Sequence, residues 1–334
     1  MSQSIKIRKP DDFHLHLRDF PAAKNYLSCS EKYFARGLVM PNTTSPIDSV
    51  AKLTAYKKEI VKASSQGFIP LMSFKITPSL TKDEIVGLKK AGVLIAKLYP
   101  AGVTTNSADG VSSIASLYPI FKLLEELEIV LSIHGEAVGV SAINSEREFL
   151  AELEGIIRDF PQLKIVMEHL STKEAVNFIL DRGENIAATI TVHHLLFTIN
   201  DLIGSGFDPH LFCKPILQGK EDRKALADVV LSGNKKFFFG SDSAPHLKEK
   251  KECNKIAAGI FSAPVAIPLL ADFFESNGAL SKLENFTSSF GAEFYGLKLN
   301  EEQIELVKEP WIVPTDYFGV VPLFAGKQIS WRLK

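Results

Sequence analysis

Five of the eight histidines lie at or just beyond the end of a short apolar run, and one aspartate does the same. These six residues are His14, His16, His134, His169, His246 and Asp242. A lone histidine in such a place is usually a hydrogen-bonded structural residue. The first four histidines and the aspartate together, however, have the composition of a transition-metal site, and nitrogen and oxygen donors favour zinc.

The spacing His-x-His-x-Arg begins at His14. Side chains two residues apart on a strand point to the same face, so His14, His16 and Arg18 are expected to share one side of an extended segment. The planar guanidinium of Arg18 can grip a carboxylate with two parallel hydrogen bonds. A surface salt bridge is the alternative for Arg18, and it is less favoured beside two inward histidines.

Lys97 lies inside the apolar run GVLIAKLYP, where an unpaired charge is costly. One reading is a lysine that pairs with a carboxylate or reaches out from the strand end. The other is a lysine with a depressed pKa that reacts with CO₂ to form a carbamate, whose two oxygens can bridge two metal ions. A metal site on neighbouring strands favours the second reading.

Eight short apolar runs are each followed by a segment of helical length, which indicates parallel strands covered on both faces. A closed (β/α)8 barrel, the TIM barrel, accommodates eight such units and gathers its functional residues at the carboxyl ends of the strands. An open doubly wound sheet would usually carry a glycine-rich turn after its first strand, and no such motif occurs. Thr81 and Glu84 form a capping-box pair that predicts a helix over 81–92, with Gly92 as its end. The runs predicted as strands are 5–18, 34–42, 68–77, 92–100, 128–136, 163–171, 185–195 and 236–246.

Beyond the eighth run, two helix-like segments near 264–276 and 279–294 precede a short apolar tail. No linker-like stretch separates them from the rest of the chain. We therefore expect residues 1–334 to form a single domain, with the barrel over about 5–255 and a C-terminal extension over about 256–334.

Composition excludes several classes of protein. The 38 Lys and Arg against 39 Asp and Glu give a formal net charge of −1, so nucleic acid is not an expected partner. The 46% of hydrophobic residues predict a packed globular protein. The chain shows neither a signal peptide nor an apolar run long enough to span a bilayer, because prolines interrupt the longest uncharged stretch. Three widely spaced cysteines fit reduced thiols, and the cytoplasm is the expected compartment.

The motifs taken together resemble the shorter, mainly bacterial dihydroorotases of the amidohydrolase superfamily. The matching segments are DFHLHLRD (12–19), MPNTTSP (40–46), KLYPAGVTTNS (97–107), IHGE (133–136), EHLST (168–172), HHLLF (193–197), GSDSAPH (240–246) and LFAGKQISW (323–331). The resemblance implies reversible cyclisation of N-carbamoyl-L-aspartate to L-dihydroorotate, a step of pyrimidine synthesis, by a homodimeric enzyme.

The resemblance also implies roles for individual residues. Two zinc ions would be held, one by His14, His16 and Asp242 and the other by His134 and His169, with carboxylated Lys97 bridging them. A water between two such ions becomes acidic enough to act as hydroxide near neutral pH, and Asp242 would serve as general base and then general acid. The implied substrate contacts are Arg18, Asn42 and His246 for the carboxylate, the backbone of Lys214 and Ala258 for the ring, and Thr104 and Thr105 on a mobile loop. We expect structural roles for His193, His194 and His210.

Three alternatives remain at this point. A hydantoinase, dihydropyrimidinase or allantoinase would use the same metals, but these relatives generally add a β-rich domain built partly from residues before the His-x-His, and only 13 residues precede His14 here. A non-catalytic scaffold subunit typically lacks metal ligands that this chain keeps. A metal-free sugar-phosphate isomerase would leave the five strand-end histidines unexplained.

Overall fold

Eight parallel strands form the central sheet of the computed structural model, which describes residues 3–100 and 113–334. Each strand pairs with the next in chain order, and a bridge between Leu15 and Ser243 joins the last strand segment to the first. The backbone amide of His16 donates to Ser243 O at 3.0 Å, and that of Asp242 donates to His14 O at 2.8 Å. The predicted (β/α)8 barrel is confirmed. Its strands are β2 (Asp11–Leu15), β3 (Arg36–Val39), β4 (Ile69–Lys75), β5 (Ile95–Leu98), β6 (Val130–Ile133), β7 (Ile165–Met167), β8 (Ile186–Ile190) and β9 (Phe237–Phe239).

Helices connect the strands and surround the barrel. The predicted helix over 81–92 is observed as Lys82–Lys90, with both hydrogen bonds of the Thr81–Glu84 capping box and Gly92 at φ +81° just beyond its end. The helices are α1 (Ala23–Ser30), α2 (Val50–Ala63), α3 (Lys82–Lys90), α4 (Tyr118–Glu126), α5 (Ser145–Asp159), α6 (Lys173–Leu180), α7 (Val192–Leu196), α8 (Ile199–Ile203), α9 (Lys220–Ser232), α10 (Lys248–Lys251), α11 (Ala266–Ser276) and α12 (Phe290–Tyr295). Within the described ranges, no helix is long and apolar enough to cross a membrane.

The barrel interior is apolar at one end and polar at the other. A buried cluster that includes Phe13, Ile95 and Phe238 fills the end that α12 covers with Tyr295. Two residues further along five strands, the same inward face carries a polar or small residue, because side chains alternate with a period of two. Those residues are Lys97, Ser132, Glu168, Thr189 and Gly240. The polar layer therefore lies directly beneath the carboxyl ends of the strands.

The prediction of one strand over 5–18 is wrong. Residues Ser4–Arg8 form a separate strand, β1, which pairs antiparallel with β10 (Gln303–Ile312), and β10 pairs with β11 (Gln328–Leu333). Pro10 lies between β1 and β2 and has no amide hydrogen to donate to a sheet. The half-exposed β1 thus joins the C-terminal extension, while the barrel begins with the fully buried β2.

The prediction of one strand over 185–195 is also wrong in its second half. The strand ends at Ile190, and Thr191 caps the helix α7 by accepting a hydrogen bond from the amide of His194. His193 and His194 consequently lie on a helical turn rather than on a strand. In the extension, α11 falls within the helix-like segment expected near 264–276, and α12 overlaps the end of the one expected near 279–294.

Candidate active site

Three buried side chains from the first and last barrel strands meet at the carboxyl end of the barrel. His14 lies on β2, His16 directly follows it, and Asp242 lies three residues beyond β9. Asp242 Oδ1 is 3.0 Å from His16 Nε2 and 3.4 Å from His14 Nε2. The three donor atoms lie within 4.8 Å of one another, which is close enough to hold one metal ion.

Asp12 holds this part of the barrel together. Its Oδ1 accepts from the amides of Ser241 at 2.8 Å and His14 at 3.1 Å, and its Oδ2 accepts from the Ser241 hydroxyl. Gly240 allows the close approach, since a Cβ there would lie 2.9 Å from His14 Cβ and 3.0 Å from Thr189 Cβ. The spacing between His14 and Asp242 is therefore set by the backbone beneath them.

A second pair of histidines lies beside the first group. His134 follows β6 and His169 follows β7, and His134 Nδ1 is 3.2 Å from His169 Nε2. The rings of His169 and His14 have centroids 5.0 Å apart, so the two groups adjoin. Burial lowers the pKa of His16 to about 4 and lowers those of His134 and His169, which favours the neutral imidazole that binds metals.

Lys97 is fully buried on β5, in the polar layer under these histidines. Among the described residues its Nζ has no hydrogen-bond partner, and it lies 5.2 Å from the centroid of the Tyr99 ring. Burial lowers the pKa of Lys97 to about 8, although the carboxylates of Glu168 and Asp242 oppose this. An unpaired buried amine is costly, so the side chain is suited to a modification or a ligand that supplies its partners.

Three of the histidine rings each contact a side-chain oxygen through the ring nitrogen that faces away from the centre of the site. Glu168 Oε2 is 2.8 Å from His14 Nδ1, Asn42 Oδ1 is 2.7 Å from His16 Nδ1, and Glu136 Oε2 is 2.5 Å from His134 Nε2. Each contact leaves the other ring nitrogen facing the centre. Such partners set the tautomer and orientation of metal-binding histidines.

Glu136 and Glu168 were not predicted as site residues from the sequence. Glu168 also accepts from the hydroxyls of Ser132 and Thr189, and Glu136 accepts from Ser145 Oγ at 2.7 Å. Burial raises the pKa of both carboxyls, but their contacts with His134 and with His14 and Lys97 outweigh it and leave each pKa below its usual value. The sequence signal was present in His134-x-Glu136 and in the Glu168–His169 pair, where a carboxylate adjoins a strand-end histidine.

Arg18 and His246 lie at the mouth of the site. The Arg18 guanidinium donates to Pro245 O at 3.1 Å and contacts His246 Nε2 at 3.0 Å. His246 Nε2 also lies 3.0 Å from Ala258 O. Burial, followed by the charge of Arg18, lowers the pKa of His246 to about 3, so its ring is neutral. A neutral nitrogen cannot both accept from Arg18 and donate to Ala258, and a carboxylate bound by Arg18 would relieve this competition.

These side chains surround one cleft of about 390 Å³. It contains every predicted metal and substrate residue within the described ranges except Lys97 beneath it and His246 at its edge, and it adds Tyr99, Ala244 and Gly259. Thr104 and Thr105 lie outside the described residues. The residues that line the cleft are His14, His16, Arg18, Asn42, Tyr99, His134, His169, Lys214, Asp242, Ala244, Ala258 and Gly259.

Backbone conformation is unusual at this site. Among the described residues, six non-glycine residues have a positive φ, and three of them are Arg18 (+65°), His169 (+43°) and Asp242 (+41°). Strained backbone of this kind clusters at functional sites, where the surrounding structure holds it in place.

The remaining histidines lie elsewhere. His193, His194 and Cys213 form a second buried group with metal-binding atoms, but both ring nitrogens of His194 already contact protein atoms, Thr191 Oγ1 at 2.9 Å and Pro215 O at 3.2 Å. His210 lies near the surface, with Nε2 3.0 Å from Glu252 Oε1.

Comparison with known proteins agrees with this geometry. The family model described as "Amidohydrolase" matches residues 72–257. A dihydroorotase from Marinomonas sp. (strain MWYL1) is 44% identical over 340 aligned positions, which cover 99% of each chain. The chain belongs to the dihydroorotase family.

Two solved structures of dihydroorotases extend the likeness to three dimensions. The crystal structure from Campylobacter jejuni has a TM-score of 0.94 at 40% identity and covers 100% of this chain and 98% of that one. The structure from Saccharomyces cerevisiae, in complex with 5-fluoroorotic acid, has a TM-score of 0.92 at 35% identity, with 99% and 98% covered. The dihydroorotase fold thus extends over essentially the whole chain.

Proposed function

We propose that this chain is a zinc-dependent dihydroorotase that interconverts N-carbamoyl-L-aspartate and L-dihydroorotate in pyrimidine synthesis. The observation that carries the proposal is one cleft in which two groups of metal-binding side chains adjoin a buried Lys97 with no hydrogen-bond partner among the described residues, and Arg18 and His246 lie at its mouth. The yeast relative was solved with 5-fluoroorotic acid, a pyrimidine carboxylate, which is the ligand class that this mouth suits.

Two zinc ions fit the donor atoms. His14, His16 and Asp242 would hold one, and His134 and His169 the other, with carboxylated Lys97 between them. The fit rests on the donor set and on polar atoms that have no hydrogen-bond partner in the described part of the chain, namely Lys97 Nζ and His169 Nδ1. When bound, such ions polarise a carbonyl and acidify water.

Carboxylation of Lys97 would add an oxygen ligand beside Asp242, which is otherwise the one oxygen donor in the proposed metal-binding set. The lone pair of the neutral amine forms an N–C bond to CO₂, one C=O electron pair moves onto oxygen, and a proton leaves the nitrogen. The buried position favours the neutral amine, and the resulting carbamate is an anion that the metal ions can neutralise.

Asp242 is suited to move the proton. Burial alone would raise the pKa of Asp242, but the hydrogen bond with His16 and the other nearby histidines keep it well below its usual value, so the side chain is an ionised carboxylate with no proton of its own to lose. In ring opening, Asp242 would accept a proton from water as the water oxygen bonds to the ring amide carbon, and the same proton would pass to the nitrogen as the C–N bond breaks. Closure runs through the same groups in reverse.

Arg18 and His246 would bind the carboxylate that both substrate and product carry, together with Asn42. The backbone of Lys214 and Ala258 would contact the ring, and Thr104 and Thr105 would close over it. We expect Thr104→Ala and Thr105→Ala to reduce turnover more than zinc content, because closure excludes water from the reacting amide.

The test is a dihydroorotate ring-opening assay with zinc quantification on the wild type and on Asp242→Ala and Asp242→Asn. We expect the wild type to be active with about two zinc ions per chain and both variants to lose activity. A zinc-loaded wild type that leaves dihydroorotate intact at neutral and mildly alkaline pH would contradict the proposal.

We further propose that the chain acts as a homodimer. The support is the family resemblance, and light scattering of the purified protein tests it: a mass of one chain at micromolar concentration would refute it.

A further inference from the structure

Lys251 is a buried cation that the proposed chemistry does not use. It ends the short helix α10, and only 3% of its surface is exposed. Its ammonium donates to three backbone carbonyls: Gly259 O at 2.7 Å, Ala257 O at 2.9 Å and Phe212 O at 3.0 Å. All three of its donors are therefore used, and among the described residues it has no ion pair with a carboxylate.

These carbonyls belong to two chain segments that reach the cleft. Ala257 and Gly259 flank Ala258, and Phe212 lies two residues before Lys214. Lys214, Ala258 and Gly259 all line the cleft. The amide of Gly259 also donates to Phe212 O at 2.9 Å, so the two segments meet directly above the Lys251 ammonium.

The junction leaves little room for adjustment. Gly259 has φ +147°, and a Cβ there would lie 2.6 Å from Ala244 O and 3.0 Å from His246 Cδ2. The segment 257–259 therefore packs tightly between His246 and Lys251. A small movement of this segment would shift Ala258, whose carbonyl oxygen is 3.0 Å from His246 Nε2.

We propose that Lys251 is a positioning residue, whose ammonium fixes segments 212–214 and 257–259 so that their backbone is correctly placed for the substrate ring. This inference rests on the proposed function, because it is dihydroorotate that the two segments are expected to contact. Lys251 does not touch the substrate and acts through the backbone that it holds.

Holding the Lys251 ammonium away from water carries a desolvation cost. Burial lowers the pKa of Lys251 to about 8, which reflects a charge held away from water. A surface lysine would reach solvent instead. Three carbonyls held by one cation at the edge of a binding cleft give a rigid backbone platform, and preorganised platforms improve binding by avoiding the cost of ordering loops.

The test compares Lys251→Met and Lys251→Gln with the exposed neighbour Lys250→Met in the full zinc-loaded chain. Met removes every donor at a similar size, whereas Gln keeps two N–H groups for the carbonyls. Hydrogen exchange measured by mass spectrometry reports on residues 212–214 and 257–260, and steady-state assays with dihydroorotate give KM and kcat.

For Lys251→Met we expect exchange of the Gly259 amide to rise about tenfold or more, and KM to rise by a similar factor, which is the scale of losing a charge-assisted hydrogen bond. Zinc content and kcat should change far less. Lys251→Gln should give intermediate values, and it keeps the test available if the Met variant does not fold. Lys250→Met should match the wild type in every measurement.

Other results would overturn the inference. A merely structural role predicts a lower melting temperature and fewer active molecules with an unchanged KM. If the wild type does not open dihydroorotate, the proposed function fails, and the exchange measurement still decides whether Lys251 fixes the two segments. Unchanged exchange in both Lys251 variants contradicts the inference whatever the activity.

Discussion

Each of the His14, His16 and His134 rings makes a hydrogen bond through one nitrogen, and its other nitrogen faces the centre of the site. Glu168, Asn42 and Glu136 supply the holding oxygens at 2.5–2.8 Å. All three lie in a buried environment where an unpaired polar atom is expensive, so each contact selects one tautomer. The orientation of the proposed metal ligands is therefore set by the protein itself.

The contact between Glu168 and His14 gives the first prediction. We expect Glu168→Gln to weaken zinc binding by about 10- to 100-fold, because a neutral amide holds the imidazole less firmly than a carboxylate does. Zinc affinity measured by competition with a chelator tests this. Glu174→Gln removes an exposed carboxylate and serves as the control. Equal zinc affinity in wild type and Glu168→Gln would show that the contact has no orienting role.

Lys97 gives the second prediction. Lys97→Ala should abolish ring opening and lower zinc content, and short carboxylates such as acetate should restore part of the activity by replacing the oxygens of the proposed carbamate. Lys90→Ala, on the exposed face of α3, should behave like the wild type. A Lys97→Ala protein with normal zinc content and normal rate would remove Lys97 from the metal centre.

At the scale of elements, the alternation of side chains along the strands places Lys97 and Asp242 in line with apolar core residues of the same strands. Ile95 and Lys97 share the inward face of β5, and Phe238, Gly240 and Asp242 continue one such row at β9. Apolar residues therefore close one end of the barrel while ionisable ones line the other. Gly240 leaves the space into which His14 Cβ packs.

Gly240→Ala should consequently destabilise the protein. Its Cβ would meet His14 Cβ at 2.9 Å and Thr189 Cβ at 3.0 Å, and overpacking of this kind costs about 1–3 kcal/mol. Chemical denaturation gives the free energy of unfolding. Gly155→Ala, in α5 with its nearest neighbour 3.8 Å away, should instead stabilise by about 0.5–1 kcal/mol. Similar effects of the two substitutions would contradict the proposed crowding at Gly240.

The elements also show what could be predicted from the sequence. Eight apolar runs predicted the barrel, since a buried parallel strand needs no long-range information to be recognised. The separation of β1 from β2 was missed because the apolar residues before Pro10 (Ile5, Ile7) and after it (Phe13, Leu15) keep the same period of two. Glu168 was missed because its partner His14 lies 154 residues away and is brought to it only by closure of the barrel.

At the scale of the whole molecule, the two ends of the chain meet. Strand β1 pairs with β10, and β11 covers the other edge of β10, so the N-terminal residues and the C-terminal extension form one small antiparallel sheet. Trp331 of β11 is fully buried, and its indole donates to Glu275 Oε2 of α11 at 3.0 Å. The extension is thereby tied to the helices after the barrel.

This arrangement supports the prediction that residues 1–334 form one domain. Trp331→Ala should cost about 3–5 kcal/mol and lower the melting temperature of the entire chain in one transition. Arg332→Ala, at an exposed position beside it, should have little effect. Calorimetry that resolves a separate early transition for the extension would contradict a single domain.

The most direct test of the account is the specificity of the zinc-loaded enzyme, measured as kcat/KM for L-dihydroorotate and for dihydrouracil, which has a similar ring without the carboxylate. Arg18 and His246 are the proposed partners of the substrate carboxylate, and buried groups left without their partner penalise the wrong substrate strongly. We predict a preference for dihydroorotate of about 10⁴-fold, the scale seen when a site loses a required polar partner. Equal or faster opening of dihydrouracil would contradict the account and favour a hydantoinase-type enzyme.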